Sequence, residues 1–288
     1  MNSDWKNFLL DERGVLTTDN RIDFSGSEPD AKKRLCPVTQ LGVLTVAGKD
    51  AVSFLQGQIT CNMHDITDNK SSLGAICNPK GRVITTFLLV KRDDVYLLLL
   101  PVELLAPIKK RLQMYVLRSA VTLTDSSDEL CLIGCSQLDV QTSANDQLGS
   151  TTRQQGRLTI DLSRQVNRQL LITDAEDAQQ FWQEQIGKYG HQPASSEVWR
   201  SLDIIDGIPW LTTETSEEYI PQMLNLDTLG GISFTKGCYT GQEIVARTHY
   251  LGKAKRQMFV AECDLTEPPA ANAAIIDDST GESVPAGH

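Results

Sequence analysis

The stretch TKGCYTGQEIVARTHYLGKAKRQ, residues 235–257, sets one cysteine between a lysine and what reads as the start of a helix. Thr240-Gly241-Gln242-Glu243 fits a capping box, with Thr240 as the N-cap, Glu243 three residues on and EIVART as the helix body. Cys238 then lies two residues ahead of the cap, facing the positive end of the helix dipole, with Lys236 two residues away. A helix N-terminus and a nearby cation both favour thiolate, the nucleophilic form of the side chain. Gly237 and Gly241 let the backbone turn sharply or approach a ligand closely. The same spacing accommodates a buried loop cysteine whose glycines only turn the chain, and the residues alone leave both readings open. A phosphate loop is excluded, because Gln242 stands where a Walker A motif needs its lysine.

The stretch is a basic island in an acidic protein. Lys236, Arg247, Lys253, Lys255 and Arg256 stand against one acid, Glu243, a local balance of +4, whereas the 288-residue chain carries a formal net charge of −10. That overall charge argues against a general nucleic-acid binder, whose affinity rests on neutralising phosphates. Tyr239 and Tyr250 are the aromatics flanking the island's helix, short of the interleaving that base stacking needs. Apolar residues make up 40% of the chain, enough for real cores, and its length suggests two domains at about 150 residues each. The most apolar run, VITTFLLVKRDDVYLLLL, is interrupted by Lys91, Arg92, Asp93 and Asp94, so no membrane span is expected. The first residues, MNSDWKNFLLDERG, lack a secretory pattern, which makes the cytoplasm the default location. Seven scattered cysteines with no Cys-x-x-Cys pair exclude a disulfide framework, and four histidines add little towards a metal site. Cys131 and Cys135 lie in an apolar run and read as small buried hydrophobes.

Upstream, GKDAVSFLQGQIT reads as a short helix stopped by Gly57. Asn78-Pro79-Lys80-Gly81 is a turn between two strands, and VITTFLLV and VYLLLL form a hairpin across KRDD. VELLAPIKKRLQMY predicts an amphipathic helix with Leu104, Ile108, Leu112 and Tyr115 on its apolar face. From Val121 the texture shifts to short strands, AVTLT, ELCLIGC, RLTIDL and RQLLIT, then a helix opened by a capping box at Thr173. SSEVWRSLDIIDG is a further helix, with Val198, Leu202 and Ile205 inward and Gly207 at its end. After Gly252 the chain turns strand-like again and stops at VPAGH without partner strands, which reads as a β unit cut short.

KGCYTGQE, preceded by LGGISF and followed by VAR, resembles the signature of the YgfZ family, whose members are folate-binding proteins tied to iron–sulfur cluster maintenance and tRNA modification. FLQGQIT (54–60), CNPKGRV (77–83), LDIIDGIPW (202–210) and YIPQMLNLDTLGG (219–231) extend the resemblance from about Leu41 to Arg256. The family is related to the T-protein, the aminomethyltransferase of the glycine cleavage system. The resemblance implies an α+β, multi-domain aminomethyltransferase-like fold. Residues 1–120 with 196–250 would form a folate-binding α+β domain, 121–195 an inserted ferredoxin-like α+β unit, and 251–288 the start of a truncated C-terminal β-barrel.

The resemblance also implies site residues. Cys238 is the candidate reactive thiol, and reduced folate (tetrahydrofolate or a derivative) the cofactor. The T-protein holds the pteridine ring through a glutamate near a helix end, a neighbourhood occupied here by Asp206. Gln222, Asn225 and Tyr239 would be polar wall residues, and Lys236 and Arg247 would meet the glutamate tail. Asp206 and the Lys236–Tyr239 loop are expected on the walls of one pocket. Where the T-protein carries its acidic pair this chain has Thr85 and Thr86, so aminomethyl transfer by that route is not expected. The leading expectation is a folate-dependent accessory protein of iron–sulfur metabolism, with iron–sulfur enzymes or assembly factors as partners, no stable nucleic-acid binding and no intrinsic cluster. An aminomethyltransferase and an RNA-binding module are the alternatives.

Overall fold

The computed structural model describes residues 1–18, 21–24, 31–138, 149–154, 156–252, 254–262, 269–270, 273–277 and 284–287. Helix α1 (Ser3–Asp11) is followed by β1 (Val15–Leu16), β2 (Ile22–Asp23), β3 (Lys33–Pro37) and β4 (Leu41–Ala47). Next come α2 (Ala51–Gln56), β5 (Ser72–Cys77), β6 (Val83–Arg92), β7 (Val95–Pro101), α3 (Val102–Val116) and β8 (Thr122–Asp125). The chain continues with β9 (Cys131–Gln137), β10 (Thr151–Gln154), β11 (Arg157–Asp161), β12 (Asn167–Thr173), α4 (Ala175–Tyr189) and β13 (Gln192–Pro193). It closes with α5 (Ser196–Ile205), α6 (Gln242–Leu251), β14 (Ile275–Asp277) and β15 (Val284–Gly287).

Two sheets organise these elements. The first is antiparallel, in the order β5-β6-β7-β4-β8, and α3 packs on β4, β7 and β8. Its strand β6 is buried along residues 83–90, as expected of a β-branched and leucine-rich strand covered on both faces. The second runs β10-β11-β12-β9-β3-β13, antiparallel except for the parallel β3–β13 pair. Helices α1 and α4 cover it through a core that includes Trp5, Leu9, Phe24, Ile133, Leu171 and Trp182. Trp5 and Trp182 meet edge to face at 5.5 Å, a favoured aromatic geometry.

Sheet membership departs from the division drawn by sequence texture. Strand β3, from the first 120 residues, lies inside the second sheet beside β9, and β8, from 121–195, completes the first. The expected barrel is not seen as a closed sheet among the described residues; β14 and β15 pair only with each other there.

The helices correct three further expectations. The buried stripe of α3 is Leu104, Leu105, Ile108, Leu112 and Val116, while Tyr115 points outward. Asp174, not Thr173, caps α4, its carboxylate accepting from the Asp177 amide; Thr173 instead donates to the Asp177 side chain. Helix α5 buries Trp199, Leu202 and Asp203 and leaves Ile205 exposed. An aspartate on the inward face of a helix calls for a partner, and the partner belongs to the site region below.

Candidate functional site

Three of the segments quoted above, far apart in sequence, meet around the Cys238 loop. After α2 ends at Gly57, the chain from Gly57 to Cys61 runs against residues 231–240. Thr60 donates through its hydroxyl to the Gly231 carbonyl at 2.6 Å and accepts from the Ala75 amide, and the Ser233 amide donates to the Thr60 carbonyl. The Asn78–Gly81 turn packs on the start of α6. A Cβ on Gly241 would lie 2.5 Å from the Asn78 carbonyl oxygen and 3.0 Å from the Gly81 Cα, and both glycines have positive φ. Here glycine is required twice, by the left-handed backbone and by the contact.

The α6 cap differs from the expected capping box. Gly241, at φ 86°, is the N-cap and no side chain caps the helix. Thr240 instead lies in the turn before it, with its amide directed at the Gly57 carbonyl. The cationic neighbour also points elsewhere. Lys236 Nζ donates to the Ile59 and Cys61 carbonyls at 2.7 and 2.8 Å and lies 5.0 Å above the Tyr239 ring. It thereby fastens the loop to the segment that follows α2. Burial pushes its ammonium down from 10.5 to about 8, opposed by the neighbouring Cys61 sulfur. Tyr239 is buried, and burial raises its phenol.

The depressed Lys236 pKa has a testable sign. The folded state holds this proton less tightly than the unfolded chain, so the cost of burying the charge is full below pH 8 and disappears as pH climbs to 10.5. Relative to Lys236→Met, the wild type should therefore gain stability between about pH 8 and about pH 10.5. Urea unfolding of both proteins at several pH values checks this. The buried thiols weaken both folds above pH 9 and Cys61 is coupled to Lys236, so the difference is read where it first opens, between about pH 8 and pH 9. A difference that stays flat across the window would refute the assignment.

Cys238 is the exposed cysteine among those described. Cys36, Cys61, Cys77 and Cys131 are buried, and burial pushes each thiol up to about 12; Cys135 is also raised by burial. The buried Cys61 and Cys77 thiols both lie near the buried Tyr239, the residue next to Cys238.

Asp206 is not presented as an open carboxylate. Its Oδ2 accepts from Arg168 Nε at 2.6 Å and its Oδ1 from the Gln165 amide at 2.8 Å. Arg168 Nη1 also donates to Asp203 at 2.6 Å, Trp210 Nε1 donates to the other Asp203 oxygen at 2.8 Å, and the guanidinium lies 4.8 Å over the Trp199 ring. Asp206 and both its charged companions are buried. Burial raises the Asp203 carboxyl against the pull of Arg168. This network joins β12 to α5. Sequence reading missed Arg168 and Asp203; the available signal was the inward register of Asp203 in α5.

Gln222 is buried, and its amide donates to the Val245 carbonyl at 2.7 Å while its Oε1 has no donor. Asn225 repeats the pattern, donating to the Met258 carbonyl at 2.9 Å with a buried, unmatched Oδ1. These two oxygens are left without a donor inside the fold, whereas both oxygens of Asp206 are engaged. Thr85 and Thr86 are fully buried and donate to backbone carbonyls, Thr86 to Pro209 at 2.6 Å. Neutral hydroxyls so committed supply no charge to a reacting centre. Arg247 is exposed on α6.

A cleft of about 390 Å³ adjoins the loop, lined by Leu73, Leu88, Leu229, Ile232, Phe234 and Thr235 among others. Its volume suits a small molecule. Neither Asp206 nor Lys236 lines it, so the expected shared pocket is not this cleft. Among the described residues no group of three or more His, Cys, Asp or Glu side chains is placed to hold a metal, and no helix is long and apolar enough to cross a membrane.

No family model matches the chain. It is 34% identical over 282 residues to tRNA-modifying protein YgfZ of Colwellia psychrerythraea, covering 93% of this chain and 83% of that protein. The protein of that name in Vibrio atlanticus is 33% identical over 222 residues, 77% and 67% of the two chains. The one in Yersinia pseudotuberculosis is 34% identical over 260 residues, 86% and 78%. Among solved structures, the glycine cleavage system aminomethyltransferase T of Bartonella henselae has the same fold, with a TM-score of 0.64 at 11% identity. That match covers 77% of this chain and 64% of that one.

Proposed function

This chain belongs to the family of tRNA-modifying protein YgfZ, and on that premise we propose that it is a folate-dependent accessory protein of iron–sulfur cluster assembly or maintenance, supporting tRNA modification indirectly. The observation that carries the reading is the Cys238 loop. Its glycine contact with the 78–81 turn and its lysine clamp hold in place the loop that carries the exposed thiol. An exposed thiol on a fixed backbone suits transient bonding to sulfur, iron or a partner's cysteine. Iron–sulfur enzymes or their assembly factors are the proposed partners, in the cytoplasm. A reduced folate, which carries one-carbon units when bound, is the proposed cofactor. Gln222 and Asn225 would hold its ring through their unmatched oxygens, with Tyr239 alongside. Arg247 would meet its anionic tail, and Lys236 would keep the loop in place. Asp206 supports this arrangement from within the Arg168 network. Aminomethyl transfer by the T-protein route is not proposed, because Thr85 and Thr86 are neutral and bonded to backbone.

Two measurements test the reading. Alkylation with iodoacetamide near neutral pH, followed by peptide mapping, should label Cys238 before the five buried or half-buried thiols. In cells lacking the protein, iron–sulfur enzyme activity should fall, and a Cys238→Ser version made at normal levels should not restore it. Full restoration by that variant would remove the thiol from the function.

A further inference from the structure

The sequence expectation of no stable nucleic-acid partner counted aromatics along the chain, and folding changes that count. Tyr239 is buried, but Phe234 and His249 come together with Tyr250. The Phe234 and His249 rings stack with centroids 3.7 Å apart and planes 14° apart. Tyr250 meets His249 edge to face at 4.8 Å and is 64% exposed. Arg247 and His249 are exposed on the same helix, and Lys255, Arg256 and Phe259 are exposed just beyond it. From Ile244 to Ala261 the sequence contains no acid. No ion pair joins Arg247, Lys255 or Arg256 to a carboxylate among the described residues.

We propose that this outer face of α6 binds single-stranded RNA, with a base stacked on the exposed Tyr250 ring and Arg247, Lys255 and Arg256 on the flanking phosphates. Charge complementarity favours this occupant. A protein of net charge −10 repels polyanions, yet here three exposed cations close together in sequence form no ion pair among the described residues, with the exposed Glu243 one turn before Arg247 as the acid beside them. The ordered rings favour a nucleic acid over an acidic protein, because a braced aromatic face offers a base a stacking platform. The proposal goes beyond the family reading, in which the link to tRNA is indirect, and does not depend on Cys238; it shares Arg247 with the proposed contact to the folate tail, so the binding assay is run without folate.

The test is fluorescence anisotropy of a labelled single-stranded oligoribonucleotide with the full chain. Wild type should bind at 50 mM salt and lose about 20-fold in affinity by 200 mM, as three phosphate contacts on a single strand predict. Tyr250→Ala should weaken binding about tenfold while Tyr250→Phe preserves it. Arg247→Glu should weaken it and flatten the salt dependence. These side chains are exposed, so thermal melts should be unchanged and binding loss separable from misfolding. Absence of binding at 50 mM salt overturns the proposal. So does equal binding by Tyr250→Ala, or displacement of the RNA by polyglutamate at matched charge, since either would mean attraction of any polyanion or acidic protein.

Discussion

Arg168→Met should lower stability by about 3–5 kcal/mol, enough to threaten folding of a domain with ordinary reserves. The guanidinium pairs with two buried carboxylates, Asp203 and Asp206, and its removal takes from both the cation they share. The Gln165 amide and the Trp210 indole N–H still serve one oxygen of Asp206 and one of Asp203, but neither donor brings charge, and the two oxygens that faced Arg168 lose their donor. Asp203→Asn should cost much less, since it cancels the excess negative charge and keeps an oxygen for a donor. The Arg168→Met deficit should shrink at lower pH: burial already raises the Asp203 carboxyl against the pull of Arg168, and without that pull it binds its proton more tightly in the fold than in the unfolded chain, which favours the fold as pH falls. Urea unfolding of the three proteins at pH 7 and pH 5 measures this. A loss below about 1 kcal/mol for Arg168→Met would show that the network is not what holds β12 to α5.

Gly241→Val should lower stability by about 2–5 kcal/mol, from left-handed backbone strain in a β-branched residue and from overpacking. The backbone is at φ 86°, and the nearest obstacle, 2.5 Å from the new Cβ, is the Asn78 carbonyl, which cannot rotate aside as a side chain could. The α6 start and the 78–81 turn must separate, and the Cys238 loop between them should shift. Gly237→Ala is the matched control. It lies in the same loop with nothing within 4 Å of its Cβ position, so a change of about 0.5 kcal/mol or less is expected. Equal losses for the two variants would show that the contact at Gly241 carries no weight.

Features set by neighbours in the chain were legible in the sequence. The 78–81 turn with Gly81 at φ 71°, the hairpin across Asp93 and Asp94, and helices α3 to α6 follow from periodicity and turn chemistry. The matched motifs carried the aminomethyltransferase-like fold, which no local rule supplies. What escaped was set by residues far apart. Lys236 looked like a neighbour of Cys238, yet carbonyls at 59 and 61 claim it. Asp206 looked free at a helix end, yet Arg168, 38 residues earlier, neutralises it. Tyr115 fitted the apolar period of α3 as well as Val116 does, and only packing on the sheet decides between them. The ring stack of Phe234 on His249 spans a turn and a helix, where spacing along the chain says nothing about contact.

The bonds that fix the Cys238 loop join residues very distant in the chain: Lys236 to Ile59 and Cys61 across 177 and 175 positions, and Thr60 to Gly231 across 171. Closing loops of that length comes after local structure in folding, because its entropic cost is met before any contact rewards it. A nascent chain cannot assemble the loop until the chain has been made as far as Lys236. The presented thiol is therefore among the last features to mature, and a folding intermediate with both sheets formed would still lack it. Until then Cys238 is an unfolded-chain thiol like the others, and it is folding that buries Cys61 and Cys77 and leaves it as the exposed one.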